Sequence, residues 1–312
     1  MEGVVDNRMR ETLTAIGGFH LCMTEFVRVT DRILPAKVFR RLCPELDHGG
    51  LTPTGTPVIV QLLGGIPEVM AGNANRAVAL GAPGIDINFG CPSPLVNRKA
   101  GGAVLLKEPH RIYDIMHAVR GAVPKNIPVS AKLRLGYEDT SLALENAQAA
   151  EAAGADFITV HARTKVDGYK APARWEWLAK INENATIPVV ANGDINSVDD
   201  YTRCREISGC SDVMIGRGAI ACPDLALQIR HHQQGTACDP LVWDDICPLL
   251  IQMAESMVRG RVQGKHISMR IKQWLLYLRQ EYDEAHHCFE RIRRTSCYAE
   301  MEPLLSGSRN SG

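Results

Sequence analysis

The sequence predicts an α/β fold: a (β/α)8 TIM barrel followed by a small helical domain. Three observations carry this reading. Short β-branched apolar runs recur between residues 20 and 220, helix-patterned stretches separate most of them, and beyond residue 220 the alternation gives way to helical periodicity alone. Strand alternating with helix at this spacing implies βαβ units and a parallel sheet. No G-x-G-x-x-G follows an early strand, which argues for a barrel over a doubly wound sheet.

The expected strands are "LCMTEFV" (21–27), "VIVQLLG" (58–64), "GIDINFG" (84–90), "VSAKLRLG" (129–136), "FITVHART" (157–164), "IPVVANGD" (187–194) and "DVMIGRGA" (212–219). Between them, "PEVMAGNANRAVALGA" and "EPHRIYDIMHAVRGAV" read as amphipathic helices. A closed barrel needs about eight strands, one more than these runs supply. The opening "MEGVVD" reads as the loop after a strand, so the first strand is expected to be missing and two sheet edges to be left unpaired. The expected domains are 1–236 for the barrel and 237–312 for the helices. The second helix cluster is expected to start near "CDPLVWDDI", with Asp239 or Asp244 as its cap, and the tail from about residue 303 is expected to be disordered.

Bulk composition narrows the function. The chain has 312 residues, 45% of them hydrophobic, enough for one large domain or for one domain with a small second one. Lys+Arg and Asp+Glu both number 35, so net charge names no partner. No apolar run reaches the ~18 residues of a membrane span, and the polar N-terminus lacks a signal-peptide pattern. A cytoplasmic, membrane-free protein is expected. None of the ten cysteines forms a C-x-x-C pair, so neither a disulfide framework nor a metal site is expected.

In a barrel of this kind chemistry sits at the C-terminal ends of the strands. Those ends hold Glu25 and Arg28, Gln61, Asn88 and Cys91, Lys132 and Arg134, His161 and Arg163, Asn192 and Asp194, and Gly216 and Arg217. A lysine in a barrel mouth needs an anionic or polar partner. The turns "ANGD" and "GRGA" close the last two strands, where backbone amides can approach a phosphate and Arg217 adds a fixed charge. Cys91 stands apart from the other cysteines. Gly90 lets the backbone come close to a ligand, Pro92 stiffens the exit, and the loop after it ends in two glycines. A thiol placed there can give or take a proton. In the C-terminal region, residues 256–280 carry Arg259, Arg261, Lys265, Arg270, Lys272 and Arg279 with no acidic residue, and Trp274 and Tyr277 are interleaved. That pattern suits a phosphate backbone, with Trp274, Leu275 and Leu278 expected in the core.

Taken together, "NFGCPS", "AKLRLG", "VHARTK" with "GY" after it, "ANGDI" and "MIGRGA" resemble the tRNA-dihydrouridine synthases, from Met1 to about residue 294. The segments "MEGV", "CMTEFVRV" and "RIKQWLLYLRQEYDEA" are most similar to the bacterial subfamily acting on uridine 16 of the D-loop. The resemblance implies an FMN barrel and a helical tRNA-binding domain. NADPH would reduce the flavin, the flavin would deliver hydride to C6 of a flipped uracil, and a cysteine would protonate C5. By motif position Cys91 resembles that proton donor. Met1, Glu2, Gln61, Lys132, His161, Asn192, Gly193, Asp194, Gly216 and Arg217 match cofactor-binding positions. Arg28, Asn88, Tyr169, Arg270, Lys272, Tyr277 and Arg293 match tRNA-binding positions. A monomer without metal is expected. Two other readings fit parts of the pattern. A flavin barrel oxidising a free pyrimidine, like dihydroorotate dehydrogenase, leaves the basic tail without a role. A non-catalytic RNA-binding protein, with the truncated barrel only a scaffold, fits the missing first strand and predicts tRNA affinity with a steep salt dependence but no bound flavin.

Overall fold

A computed structural model describes residues 2–97 and 101–306. In chain order the elements are α1 (Asn7–Ile16), β1 (Cys22–Met23), β2 (Val27–Arg28), α2 (Ala36–Leu42), β3 (Val58–Leu63), α3 (Pro67–Ala79), β4 (Ile85–Asn88), α4 (Pro94–Asn97) and α5 (Pro109–Ala122). Then come β5 (Val129–Arg134), α6 (Ala143–Ala152), β6 (Phe157–His161), α7 (Trp175–Asn184), β7 (Val189–Asn192), α8 (Val198–Ser208) and β8 (Asp212–Met214). The remainder is helical: α9 (Gly218–Ala221), α10 (Leu225–Gln234), α11 (Trp243–Arg259), α12 (Gly264–Leu278), α13 (Asp283–Ile292) and α14 (Tyr298–Ser306).

The chain divides into two compact units. One comprises residues 1–7, 20–195 and 199–215; the other comprises 8–19, 196–198 and 216–312. The sequence places the boundary at 236/237, whereas the second unit takes in α9 and α10 and most of α1. Its own packing shows why: the indole Nε1 of Trp274 on α12 donates to the Ile220 carbonyl on α9 at 3.1 Å, so these helices share a core.

In the first unit every strand pairs in parallel, in the order β1, β3, β4, β5, β6, β7, β8, with β2 also on β3. The run expected as one strand over 21–27 is therefore two short ones. Met23 pairs with Ile59 and Val27 with Leu62, so four steps along one chain face three along the other. That one-residue excess is a bulge. It turns Thr24 inward, where its hydroxyl accepts the Gln61 amide at 3.0 Å. Among the described residues the pairing path is open, with β8 bonded only to β7 and β1 only to β3.

Register sorts the two faces of the sheet. Leu62, Ile87, Ala131, Ile158 and Val189 lie in one continuous cross-strand row, and Leu133, Val160 and Ala191 in the next. All are buried. They face α3, α5, α6 and α7, and each large side chain contributes about 1.5–3 kcal/mol by leaving water. Proline at the first position of α3 and α5 starts each helix without wasting a donor.

Two expectations at the helical end change. Neither Asp239 nor Asp244 caps α11; the Asp245 carboxylate accepts the Val242 amide at 3.0 Å from inside the first turn. The tail expected to be disordered from about residue 303 is instead helical as far as Ser306, because Met301 and Leu305 are buried. Residues 307–312 lie outside the described residues. Trp274, Leu275 and Leu278 are core, as their spacing implies. No helix among the described residues is long and apolar enough to cross a membrane.

One buried side chain secures the loop before α2. Asn73 accepts the Leu34 amide at 2.9 Å and donates to the carbonyls of Arg32 and Val69 at 3.1 and 2.8 Å. Asn73→Ala removes the partner of the half-buried Leu34 amide and of two carbonyls, and should cost about 1–2 kcal/mol in a urea-unfolding measurement. A loss under about 0.5 kcal/mol, the size of a surface substitution, would show that the loop does not depend on it.

Candidate active site

Strand alternation places Asp86 and Asn88 on one face of β4, and Ser130, Lys132 and Arg134 on the same face of β5. Register then aligns them. Gln61 pairs with Asp86 and Asp86 with Ser130; Asn88 pairs with Lys132 and Lys132 with Thr159; Arg134 pairs with His161 and His161 with Asn192. The face opposite the apolar rows is thus polar across five strands. The expected residues Gln61, Asn88, Lys132, His161 and Asn192 all lie on it.

Cys91 follows β4 and is 9% exposed, packed in an apolar cluster with Phe26, Leu63 and Val96. Burial pushes its thiol above the ordinary cysteine range, and the Glu2 carboxylate adds to this; the Ser93 amide, Arg28 and Arg134 act in the opposite sense. The group is a protonated thiol at neutral pH. Its backbone is clamped by the loop that follows: the Ala103 amide donates to the Cys91 carbonyl at 3.0 Å. Gly102 has φ +66, and a Cβ there would lie 2.9 Å from that carbonyl and 3.1 Å from the Cys91 Cβ. Only glycine permits this approach.

Lys132 is half-buried, and its ammonium donates to Asn192 Oδ1 at 2.8 Å. Burial, then the neighbouring Arg134 charge, lower its pKa to about 7, while Asp86 acts against them. Asp86 is fully buried; burial raises its pKa to about 6 against the hydrogen bonds from Ser130 and Gln61 and the Lys132 charge. The Asn192 carboxamide also donates to the Met214 carbonyl at 2.8 Å, so its orientation is set.

Two arginines, Arg134 and Arg163, organise the loops around this face. Arg134 is 4% exposed and donates to the carbonyls of Gly90, Thr164 and Gly168 at 2.8, 2.9 and 2.9 Å. It ties the turn before Cys91 to the loop after β6. Tyr169 lies in that loop, 58% exposed, with its ring 5.3 Å from the Arg134 guanidinium and 6.1 Å from the His161 ring. Arg163 donates to the Lys170 carbonyl at 2.6 Å, lies 3.3 Å from His161 Nε2, and pairs with Asp194. Asp194 also accepts the Ala173 amide at 2.8 Å, so its carboxylate is engaged with protein groups. Gly193 has φ +122, and a Cβ would lie 3.0 Å from the His161 ring.

The remaining expected residues divide as follows. Arg28 makes a two-pronged ion pair with Glu2, both bonds 2.9 Å, on the exposed surface. Met1 lies outside the described residues. Gly216, Arg217, Arg270, Lys272, Tyr277 and Arg293 belong to the second unit. There Arg217 precedes the short helix α9. Arg270 is 9% exposed and bonded to Gln273, and Lys272 donates to the carbonyls of Arg293 and Thr295 at 2.8 and 2.6 Å. Lys272 thus secures the end of α13, while Arg270 is bonded within α12. Arg293 is exposed and pairs with Glu290 at 2.9 Å. Asp86 and Ser130 are the site neighbours that the sequence reading did not pick out. Their signal was alternation: each lies two residues before a chosen residue on its own strand.

Lys132 and Asp86 give opposite pH dependences. Lys132 has a native pKa below its unfolded value, so the unfolded chain binds more protons and stability rises with pH above about 7. Asp86 has a raised native pKa, so its contribution is present at low pH and is lost between about 4 and about 6. Lys132→Met should stabilise the flavin-free chain at pH 7 and flatten its rise in stability between pH 7 and 9, which has a limiting slope of about 1.4 kcal/mol per unit. An unchanged slope in urea unfolding at these pH values would count against a half-buried, easily deprotonated lysine.

The family model described as "Dihydrouridine synthase (Dus)" matches residues 1–300. The chain is 52% identical over 293 residues to a tRNA-dihydrouridine(16) synthase of Shewanella oneidensis, covering 94% of this chain and 91% of that one. It is 48% identical to the Pseudomonas putida protein of the same name, covering 98% and 94%. It is 44% identical to that of Neisseria meningitidis serogroup B, covering 98% and 92%. Among solved structures, a 2-naphthoyl-CoA reductase complex superposes with a TM-score of 0.56 at 14% identity, over 75% of this chain and 47% of that one. At that identity the likeness concerns the fold alone. The chain belongs to the dihydrouridine synthase family.

Proposed function

We propose that this protein is a flavin-dependent tRNA-dihydrouridine synthase that reduces the C5–C6 double bond of uridine 16 in the D-loop, with NADPH as the ultimate reductant. The observation that carries the reading is the protonated Cys91 thiol beside a polar sheet face that includes a half-buried, weakly basic lysine. The residues fit a flavin. Thr159 Oγ1 is buried on the Asn88–Lys132 row without a hydrogen-bond partner. Lys132 offers an ammonium, and Gln61, His161 and Asn192 offer mixed donors and acceptors, suited to a ring edge of alternating carbonyls and N–H groups. On motif position we assign Met1 and Glu2 to the same cofactor, and Asn192, Gly193, Asp194, Gly216 and Arg217 to its ribityl phosphate. Asp194 would serve there through Arg163 rather than by direct contact.

When bound, FMN supplies hydride to C6 of the uracil. The protein's part is proton delivery and position. The base has to leave its stack to reach a site at the strand ends. Tyr169, exposed beside Arg134, would stack on it, and Asn88 would hydrogen-bond its edge. Charge develops at C5 and its adjacent carbonyl as C6 is reduced. The Cys91 thiol gives its proton to C5, and burial keeps that proton in place at neutral pH. Residues 1–236 carry this chemistry in our reading. Residues 237–312, with Arg28 from the barrel, hold the tRNA through Arg270, Lys272, Tyr277 and Arg293.

The purified protein should show flavin absorbance. Cys91→Ala should keep the flavin and lose tRNA reduction by roughly 10²- to 10⁴-fold, read as dihydrouridine formed on unmodified tRNA. Equal turnover in wild type and Cys91→Ala would remove the assigned proton donor. Arg293→Ala should weaken tRNA binding and lower the slope of log K against log salt by about one. An unaltered slope would place Arg293 away from the RNA.

A further inference from the structure

We propose that Asp86 is a positioning residue for this reaction: its carboxylate sets the orientation of the Gln61 carboxamide, which sets that of Asn88, which holds the turn presenting Cys91. The inference deepens the function proposed above and rests on it for the consequence in turnover. The geometry itself needs only the hydrogen bonds.

The chain of bonds is continuous. Gln61 Nε2 donates to Asp86 Oδ2 at 2.7 Å. Asn88 Nδ2 donates to Gln61 Oε1 at 2.8 Å. The Gly90 amide donates to Asn88 Oδ1 at 2.9 Å, one residue before Cys91. On the far side Ser130 Oγ donates to Asp86 Oδ1 at 2.7 Å.

A carboxamide has two nearly isosteric ends, so steric packing alone does not choose its orientation. An ionised carboxylate does, because it can only accept. With Asp86 ionised, Gln61 must turn its NH2 towards it, which leaves Oε1 facing Asn88. Asn88 must then answer with its NH2, which leaves Oδ1 facing the Gly90 amide. Turning either carboxamide over sets oxygen against oxygen or N–H against N–H, and the last conflict falls on the Gly90 amide. The Asp86 end of the chain is fully buried, so water cannot relieve a reversed pair there. An apolar residue in place of Asp86 would avoid the cost of burying a charge. A directional role explains why a carboxylate stands there.

The test uses the flavin-loaded protein and tRNA transcribed without modifications. Asp86→Leu removes the acceptor. Asp86→Asn can keep its oxygen towards Gln61 and turn its NH2 to Ser130 Oγ, which can accept. Ser130→Ala leaves the Gln61–Asn88–Gly90 chain directed. Asp86→Leu should lower kcat roughly 10- to 100-fold with KM for tRNA within about threefold of wild type. Asp86→Asn should recover most of that loss, and Ser130→Ala should stay within about threefold of wild type. Alongside, the rate of iodoacetamide alkylation of Cys91, read on its own peptide by mass spectrometry, should change in Asp86→Leu and return in Asp86→Asn. That readout decides the network even if the wild type reduces no tRNA, which would instead count against the proposed function. If Asp86→Leu does not fold, the double variant Asp86→Asn with Ser130→Ala carries the test, because its amide has lost the acceptor that orients it. Wild-type kcat and alkylation in the variant that removes the director, or an equal loss from Ser130→Ala alone, would overturn the proposal.

Discussion

Parallel pairing of Asn88 with Lys132, of Arg134 with His161 and of His161 with Asn192 decides which polar groups share one face of the sheet, and the rest of the site follows from that register. A slip of one residue on β5 would exchange Ser130, Lys132 and Arg134 for Val129, Ala131 and Leu133. The apolar rows beneath the helices make such a slip expensive. The burial that stabilises the sheet therefore also holds the reactive face in place.

That face is costly in itself. It buries an ammonium, a carboxylate and two guanidinium groups, each of which gives up hydration. The structure limits the cost by bonding. Arg134 is satisfied by three carbonyls, Arg163 by a carbonyl and the Asp194 carboxylate, and Asp86 by Ser130 and Gln61. Lys132 has the least compensation, a single side-chain acceptor, and its basicity falls accordingly. A group left in that condition suits a site in which a ligand completes its environment. Thr159, with a buried hydroxyl and no partner, points the same way.

Cys91 illustrates how local and distant constraints combine. Gly90 and Pro92 shape the turn from within the chain, but the thiol's protonation comes from Phe26, Leu63 and Val96, which lie on three other segments. The loop that returns over it can do so only because residue 102 has no side chain. Arg134 fastens that turn to the loop bearing Tyr169, so the proposed proton donor and the proposed stacking ring are held by one side chain.

The alternation of apolar runs with amphipathic stretches was legible along the chain because strand and helix periodicity are local properties. So were the strand-end residues Gln61, Asn88, Lys132, His161 and Asn192, since a polar residue at the exit of an apolar run is itself a local signal. The bulge that splits the run at 21–27 was not legible, because it exists only against the spacing of β3. Nor was the assignment of α9 and α10 to the second unit, which depends on Trp274 reaching Ile220 from far along the chain. Asp86 lies inside β4 rather than at its exit, so no local strand-end signal marks it. By itself the sequence determined the order of elements and the residue types offered at each strand end. Tertiary structure alone decided which of those residues meet, which are spent on one another and which stay protonated, because hydrogen-bond partners and desolvation come from strands distant in the chain.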